Sequence, residues 1–234
     1  MAVDSCAIAH SSINQYLHSP AEPFTEEHQS IELALMPNDT VGVLPVNADR
    51  ATELGFRQVN DAVSEVLTNT VSEIIGEQLS RTIDRKKPHT LLDLYCGHGS
   101  WTRRIAERHP ELTAVGIDSS EQNIQIARKH AAGIKNATFH VSRAEKVLQQ
   151  TNAQSDIVIV DPPRAGLSSD VIRALTTSEH ATATLLYISC HPATLARDLA
   201  ALTAGGYDID FVQPFDMFPQ TPHVESLAVL RTDN

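Results

Sequence analysis

A chain of 234 residues is long enough to bury one substantial core with a small appendage beside it. With 41% hydrophobic and 20% charged residues it is neither a disordered polymer nor a membrane protein: no apolar run is long enough to cross a bilayer, and the N-terminus lacks a signal-peptide pattern. Its formal net charge of -11 weighs against autonomous RNA or DNA binding, which draws on Lys and Arg to neutralise phosphates. The densest basic groups, Arg81 with Arg85, Lys86 and Lys87, and then Arg103, Arg104 and Arg108, read as solvated helix ends and faces. Cys6, Cys96 and Cys190 are widely spaced and odd in number, which is no disulfide framework and points to a reducing cytoplasm.

In chain order, residues 1–54 read as a short, irregular N-terminal segment. A helical stretch is expected over 11–17, followed by Pro20 and Pro23, and then by strand candidates at 31–35 and 41–46 that can pair across Pro37-Asn38-Asp39. Residues 55–234 read as the main domain. Val63, Val66, Leu67, Val71, Ile74 and Ile75 recur at helical spacing and predict a long amphipathic helix, closed before Pro88. Strands are then expected at 90–95, 113–118, 137–141, 156–160, 184–189, 209–214 and 224–230. Helices are expected at 100–108, 120–132, 143–149, 168–176 and 192–204. Strands separated by helices imply parallel pairing through right-handed crossovers. The last two strands have only a loop between them, so one is expected to run antiparallel at that edge. The layout is that of an α/β class I methyltransferase (Rossmann-like) fold with a seven-stranded, mostly parallel sheet.

Three segments carry residues suited to chemistry at strand ends, where open α/β sheets keep their sites. Leu94-Tyr95-Cys96-Gly97-His98-Gly99-Ser100 runs from a strand through a glycine turn into a helix, and such a turn lets a ligand approach the backbone. Thr102 stands where a third glycine would favour a dinucleotide. Asp118 ends the next strand about 20 residues on, the spacing at which a carboxylate grasps ribose hydroxyls; it could also cap the following helix. Asp93 could be structural or could face an amine. Cys96 reads as packing. Ile188-Ser189-Cys190-His191-Pro192 puts a thiol at a strand's C-terminal edge, with Asp161-Pro162-Pro163-Arg164 before it and Phe218 through Glu225 after it. No two of the eleven histidines stand at metal-ligand spacing on a common face, and no metal is expected.

Together these residues resemble the S-adenosylmethionine-dependent RNA 5-methyluridine methyltransferases. The carriers are Phe56-Arg57-Gln58-Val59-Asn60, Leu94-Tyr95-Cys96-Gly97, Asp161 through Leu167, Tyr187 through Leu195, and Met217-Phe218-Pro219 through Glu225. The resemblance implies an enzyme that methylates carbon 5 of a uridine in ribosomal or transfer RNA through a cysteine adduct at carbon 6. It implies Cys190 as nucleophile, Glu225 as base, and Asp161 beside both cofactor and base. Gln58, Tyr95, Gly97, Ser100, Asp118 and Asp161 would hold S-adenosylmethionine. The helix after Pro192 is expected to favour the Cys190 thiolate, and Phe215 or Phe218 could stack on an extruded base.

The sequence departs from the family's pattern at His191, where asparagine is common, and at Asp118, where glutamate is. The usual RNA-binding β-barrel does not fit before Phe56, so RNA affinity is expected to need a partner or a missing domain. Cys6 lies in a segment like one that supplies the last ligand of an iron–sulfur cluster, but a single cysteine cannot hold one, and none is expected. Two alternatives stay open: a non-catalytic or partner-dependent cofactor-binding homologue, and an amine methyltransferase, whose Asp-Pro-Pro motif the chain shares except for Arg164.

Overall fold

Apolar runs alternating with helical patterns fold here into a seven-stranded sheet with helices on both faces. The computed structural model describes residues 13, 15, 31–35, 41–45, 60–81, 89–150, 155–177, 184–221 and 223–232. The chain divides into two compact units, residues 1–57 with 219–221, and residues 58–218 with 222–234. In the first, β1 (Ile31–Leu35) and β2 (Val41–Pro45) pair antiparallel with Leu33 opposite Val43, the hairpin that the alternation predicts. Of the helical stretch expected over 11–17, only Ile13 and Gln15 are described, and both are helical. Cys6, Gln58 and the basic run at 85–87 lie outside the described residues.

The second unit runs α1 (Asp61–Arg81), β3 (His89–Leu94), α2 (Ser100–Arg108), β4 (Leu112–Asp118), α3 (Glu121–His130), β5 (Ala137–Val141), α4 (Ala144–Gln150), β6 (Ile157–Val160), α5 (Ser169–Thr176), β7 (Thr184–Ser189), α6 (Pro192–Ala204), β8 (Asp208–Phe215) and β9 (Glu225–Arg231). The sheet order is β5-β4-β3-β6-β7-β9-β8. Neighbours from β5 to β7 pair parallel, and β9 is antiparallel to both β7 and β8. This is the class I methyltransferase fold. The antiparallel strand is therefore not the edge strand: β9 inserts one place inward, and β8 takes the edge. Burial explains the choice. Glu225 through Leu230 are all buried, whereas β8 exposes Ile209, Phe211 and Val212.

The period of two along each strand sorts side chains into two layers. Leu92, Leu94, Val158, Val160, Leu185 and Tyr187 pack against α4, α5 and α6. Leu91, Ile157, Ile159, Leu186 and Ile188 pack against α1 and α2. In α1 the core stripe is Leu67, Val71, Ile74 and Ile75; Val66, one step around the helix, is 54% exposed and not part of it. The arginines of α2 have local partners. Arg103 bonds Glu107, Arg104 bonds Thr68 and Ser64 of α1, and Arg108 bonds Glu65. Arg103 and Arg108 fit their reading as a solvated helix face, whereas Arg104 is half-buried and ties α2 to the buried Thr68 and Ser64 of α1.

One buried polar node ties the loop after β6 to α6. The Asp198 carboxylate has no exposed surface. Its Oδ2 accepts from Tyr187 Oη at 2.6 Å and Leu167 N at 2.8 Å, and its Oδ1 accepts from Arg197. Gly166 crosses this node with φ 78°, and a Cβ there would collide with Thr194 and Asp198, so both the backbone angle and the space require glycine. Asp198→Ala is expected to cost about 3–5 kcal/mol, because it leaves Tyr187, Leu167 and Arg197 without their acceptor. Urea unfolding followed by far-UV circular dichroism checks this; a loss below about 1 kcal/mol would show the node to be dispensable.

Candidate active site

The C-terminal ends of the parallel strands bring the sequence candidates to one edge. Leu94 of β3 lies opposite Ile117 of β4 and Val160 of β6, so Tyr95, Asp118 and Asp161 follow side by side. The antiparallel β9 starts where these strands end. Ser189 pairs with Ser226, the last pair of the β7–β9 ladder; Cys190 is the next residue after β7 and Glu225 the first of β9, near enough for the Glu225 carboxylate to act on the thiol. Cys190, Glu225, Asp161, Tyr95, Gly97, Ser100 and Asp118 therefore share one rim; Gln58 lies outside the described residues.

The glycine turn is built by its own hydrogen bonds. Gly97 N donates to Asp118 Oδ2 at 3.0 Å, and Cys96 N donates to Ile117 O at 3.0 Å, fastening the turn to β4. The other Asp118 oxygen accepts from Ser120 N and Asn123 Nδ2, while Ser120 itself caps α3. Asp118 thus has the local turn role as well as a place in the cleft. Gly97 has φ 53°, and a Cβ added there would meet nothing within 4 Å, so the turn presents open backbone. Beside it Tyr95, Ile117, Asp118, Ser119, Ser142, Arg143, Ala144 and Glu145 line a cleft of about 200 Å³. Ser100 is the first residue of α2 and is half-buried. Cys96 is buried against Ile124, Ala127 and Phe139, a packing role.

Beneath the turn, Asp93 is fully buried, and its Oδ2 accepts from Thr102 N at 3.0 Å and Thr102 Oγ1 at 2.6 Å. Its Oδ1 has no protein partner. Burial, with Asp161 and Asp118 nearby, pushes this carboxyl up to about 7 against the pull of the Thr102 bonds. Asp161, pushed up by burial to about 6, accepts from Trp101 Nε1 at 3.1 Å, a bond that favours its ionised form. Glu225 is 7% exposed, and burial together with Asp161 raises it to about 7. The rim therefore concentrates acids that keep their protons to higher pH than ordinary carboxyls.

The thiol departs from expectation. Burial and the Glu225 carboxylate hold Cys190 above the ordinary thiol range, while a hydrogen bond and the charge of Arg164 pull it down without winning. The helix start after Pro192 does not reverse this. His191 is the N-cap of α6, and its Nδ1 accepts from Thr194 N at 3.2 Å, so the ring takes the capping role that asparagine also fills. Phe215 is buried in the core; Phe218 is half-buried and meets the His223 ring edge-on at 6.2 Å. Two side chains left unassigned by sequence reasoning touch the site, Arg164 and Trp101. Arg164 sat within the quoted Asp-Pro-Pro-Arg segment; Trp101 carried no signal except being the single tryptophan. Among the described residues, no cluster of His, Cys, Asp and Glu is placed to hold a metal ion, and no helix is long and apolar enough to cross a membrane.

The model of the tRNA (uracil-5-)-methyltransferase family matches residues 32–233. The chain belongs to that family. An uncharacterized RNA methyltransferase of Thermosynechococcus vestitus, tlr0942, is 40% identical over 178 residues, covering 76% of this family member and 37% of that relative. The chain thus spans little more than a third of that relative's length. Solved structures share the fold at lower identity. The candidate methyltransferase yhhF of Escherichia coli matches with TM-score 0.55 and 20% identity over 88% of this chain and 100% of its own. The magnesium protoporphyrin IX methyltransferase of Synechocystis, solved with S-adenosylmethionine bound, matches with TM-score 0.50 and 18% identity over 70% of this chain and 79% of its own.

The family points to S-adenosylmethionine as cofactor, and the residues of this member fit it. An unpartnered buried carboxylate oxygen at Asp93, open backbone at Gly97 and an acid-rich rim suit a ligand that carries an ammonium and a sulfonium. Gly97→Ala is expected to weaken cofactor binding at least tenfold while costing only about 1–2 kcal/mol of stability, since strain arises from φ alone. Calorimetric titration beside thermal unfolding separates the two.

The raised acids also fix how stability varies with pH. A carboxyl whose folded value exceeds its unfolded one binds more protons when folded, so its contribution is fullest below the ordinary range and is lost as pH rises through about 6 for Asp161 and about 7 for Asp93 and Glu225. The thermal midpoint of the ligand-free protein is expected to fall between about pH 5 and pH 8. Glu225→Gln should flatten that fall. A midpoint that rises over this range would contradict the arrangement.

Proposed function

We propose that this family member methylates carbon 5 of a uridine in RNA, ribosomal or transfer, through a covalent adduct on Cys190. The observation that carries this reading is the nearness of Cys190 and Glu225 at the end of the β7–β9 ladder, with Asp161 on the same rim. An amine methyltransferase has no use for a thiol and a base set near each other.

Carbon 5 of uracil is a poor nucleophile. In this reading the Cys190 thiolate adds to carbon 6, and carbon 5 gains enolate character. Arg164, the cation beside the thiol, favours the thiolate and offsets part of the effect of burial. S-adenosylmethionine, held by Gln58, Tyr95, Gly97, Ser100, Asp118 and Asp161, supplies an electrophilic methyl group when bound. Glu225 then removes the proton from carbon 5, the electron pair re-forms the 5,6 double bond, and the Cys190–carbon 6 bond breaks to release the thiolate. Burial suits Glu225 to this task, since a base held near neutrality takes up a proton more readily than an ordinary carboxylate. With a net charge of -11 the chain gains little from counterion release, so RNA affinity is assigned to a partner or a further domain. Residues 1–54 are assigned as a remnant of a central domain and 55–234 as the catalytic domain.

Incubation with 5-fluorouracil-substituted total RNA and S-adenosylmethionine tests the proposal, because fluorine at carbon 5 blocks the last proton abstraction. Mass spectrometry should find the adduct on Cys190, and Cys190→Ala should abolish it. Glu225→Gln is expected to lower turnover by about 10²–10⁴-fold and to accumulate adduct on unsubstituted RNA. Uridine methylation that persists in Cys190→Ala would sink the mechanism. Turnover of the unaltered enzyme should rise with pH through about 7 as Glu225 ionises.

A further inference from the structure

Trp101 is the chain's single tryptophan and the second residue of α2, the helix that begins directly after the glycine turn. Its ring is 7% exposed and packs in the same layer as Leu91, Ile105 and Ile159. An apolar ring would fill that space equally well. The indole adds one donor and no acceptor. That donor is spent on the rim, since Nε1–H bonds Asp161 Oδ2 at 3.1 Å although the residues stand far apart in sequence.

We infer that Trp101 is a positioning residue of the active site: its indole N–H fixes the Asp161 carboxylate and couples it to the helix that springs from the cofactor turn. The inference deepens the proposed methyl transfer and rests on that reading for Asp161's task. Occupying Oδ2 sets the rotation of the carboxylate and leaves Oδ1 to face substrate or cofactor. The backbone on the other side is held loosely, by Asp161 N to Leu94 O at 3.5 Å, so the indole is the shorter tether.

The charged surroundings show why the tether is needed. Asp161 faces Asp93 from β3, Glu225 from β9 and Cys190 from the end of β7, and Arg164 stands beside Cys190. Burial favours a neutral Asp161, and the indole bond opposes that drift. Removing the bond makes Asp161 easier to protonate, so ionisation is lost at higher pH than before.

Two measurements test this. The first needs no substrate: emission of the single tryptophan is followed from about pH 4.5 to pH 8.5 in the unaltered protein and in Asp161→Asn. A transition near pH 6 in the former and none in the latter is expected. The same transition in both overturns the inference. The second compares Trp101→Phe with the unaltered enzyme in uridine methylation. Its kcat/KM should drop about tenfold near pH 6 and less than about threefold near pH 8.5. Equal losses at both pH values would mean a packing role only, and also overturn it. If Trp101→Phe fails to fold, the emission titration still decides. If no RNA is methylated by the unaltered enzyme, the functional reading fails while the emission titration still judges the tether.

Discussion

The insertion of β9 antiparallel between β7 and β8 is the constraint on which the site depends. Parallel strands deliver only their C-terminal ends to the working edge. A strand running the other way delivers its beginning there, so a residue that opens β9 meets one that has just left β7. Cys190 and Glu225 come together for this reason, although 35 positions of sequence separate 190 from 225. The ladder beyond them is buried on both sides, from Ser226 to Leu230. Glu225 is thus held as the first residue of a buried strand, and Cys190 stands one residue beyond another, which limits how far either can move.

Crowding acids at this edge has an energetic cost in the ligand-free protein. Asp93, Asp161 and Glu225 each lose hydration, and Asp93 and Glu225 both feel the Asp161 carboxylate. Among the described residues, Thr102 and Trp101 compensate directly, through hydrogen bonds to Asp93 and Asp161. A cationic ligand relieves this tension, which is a physical reason for a methylsulfonium to bind here in preference to its neutral thioether product. The resting thiol belongs to the same balance: Glu225 disfavours the Cys190 thiolate when ionised and stops doing so when protonated, so the two groups influence each other before any ligand arrives.

Much of this was legible in the sequence. The strand and helix expectations from residue 89 onward fall within one or two residues of the observed elements, because apolar runs in a doubly covered sheet leave little ambiguity. The glycine turn, Asp118 and the Cys190 segment announced themselves through spacing. What did not show was long-range pairing. Nothing local in 225–231 says that the strand slips between β7 and β8; that follows from which strand buries its whole length. The indole bond from Trp101 to Asp161 spans 60 positions and has no spacing rule. The thiol was expected to be acidified by its helix, whereas burial and then the Glu225 carboxylate push it upward, and neither shows in the local sequence.

The polar node at Asp198 has a consequence for how such enzymes can be recombined. Thr194 Oγ1 bonds Arg164 O, Arg197 bonds Ala165 O, and Asp198 bonds Leu167 N, so three successive positions on one face of α6 grip the loop that carries Arg164. Loop and helix are complementary halves of a single mould. Because the grips take backbone atoms of the loop, an imported 161–168 segment keeps them only if it follows the same path, glycine at 166 included, and if α6 keeps Thr194, Arg197 and Asp198. The natural unit of exchange runs from Ile157 through Ala204, and evolutionary change in either half is expected to be followed by compensation in the other.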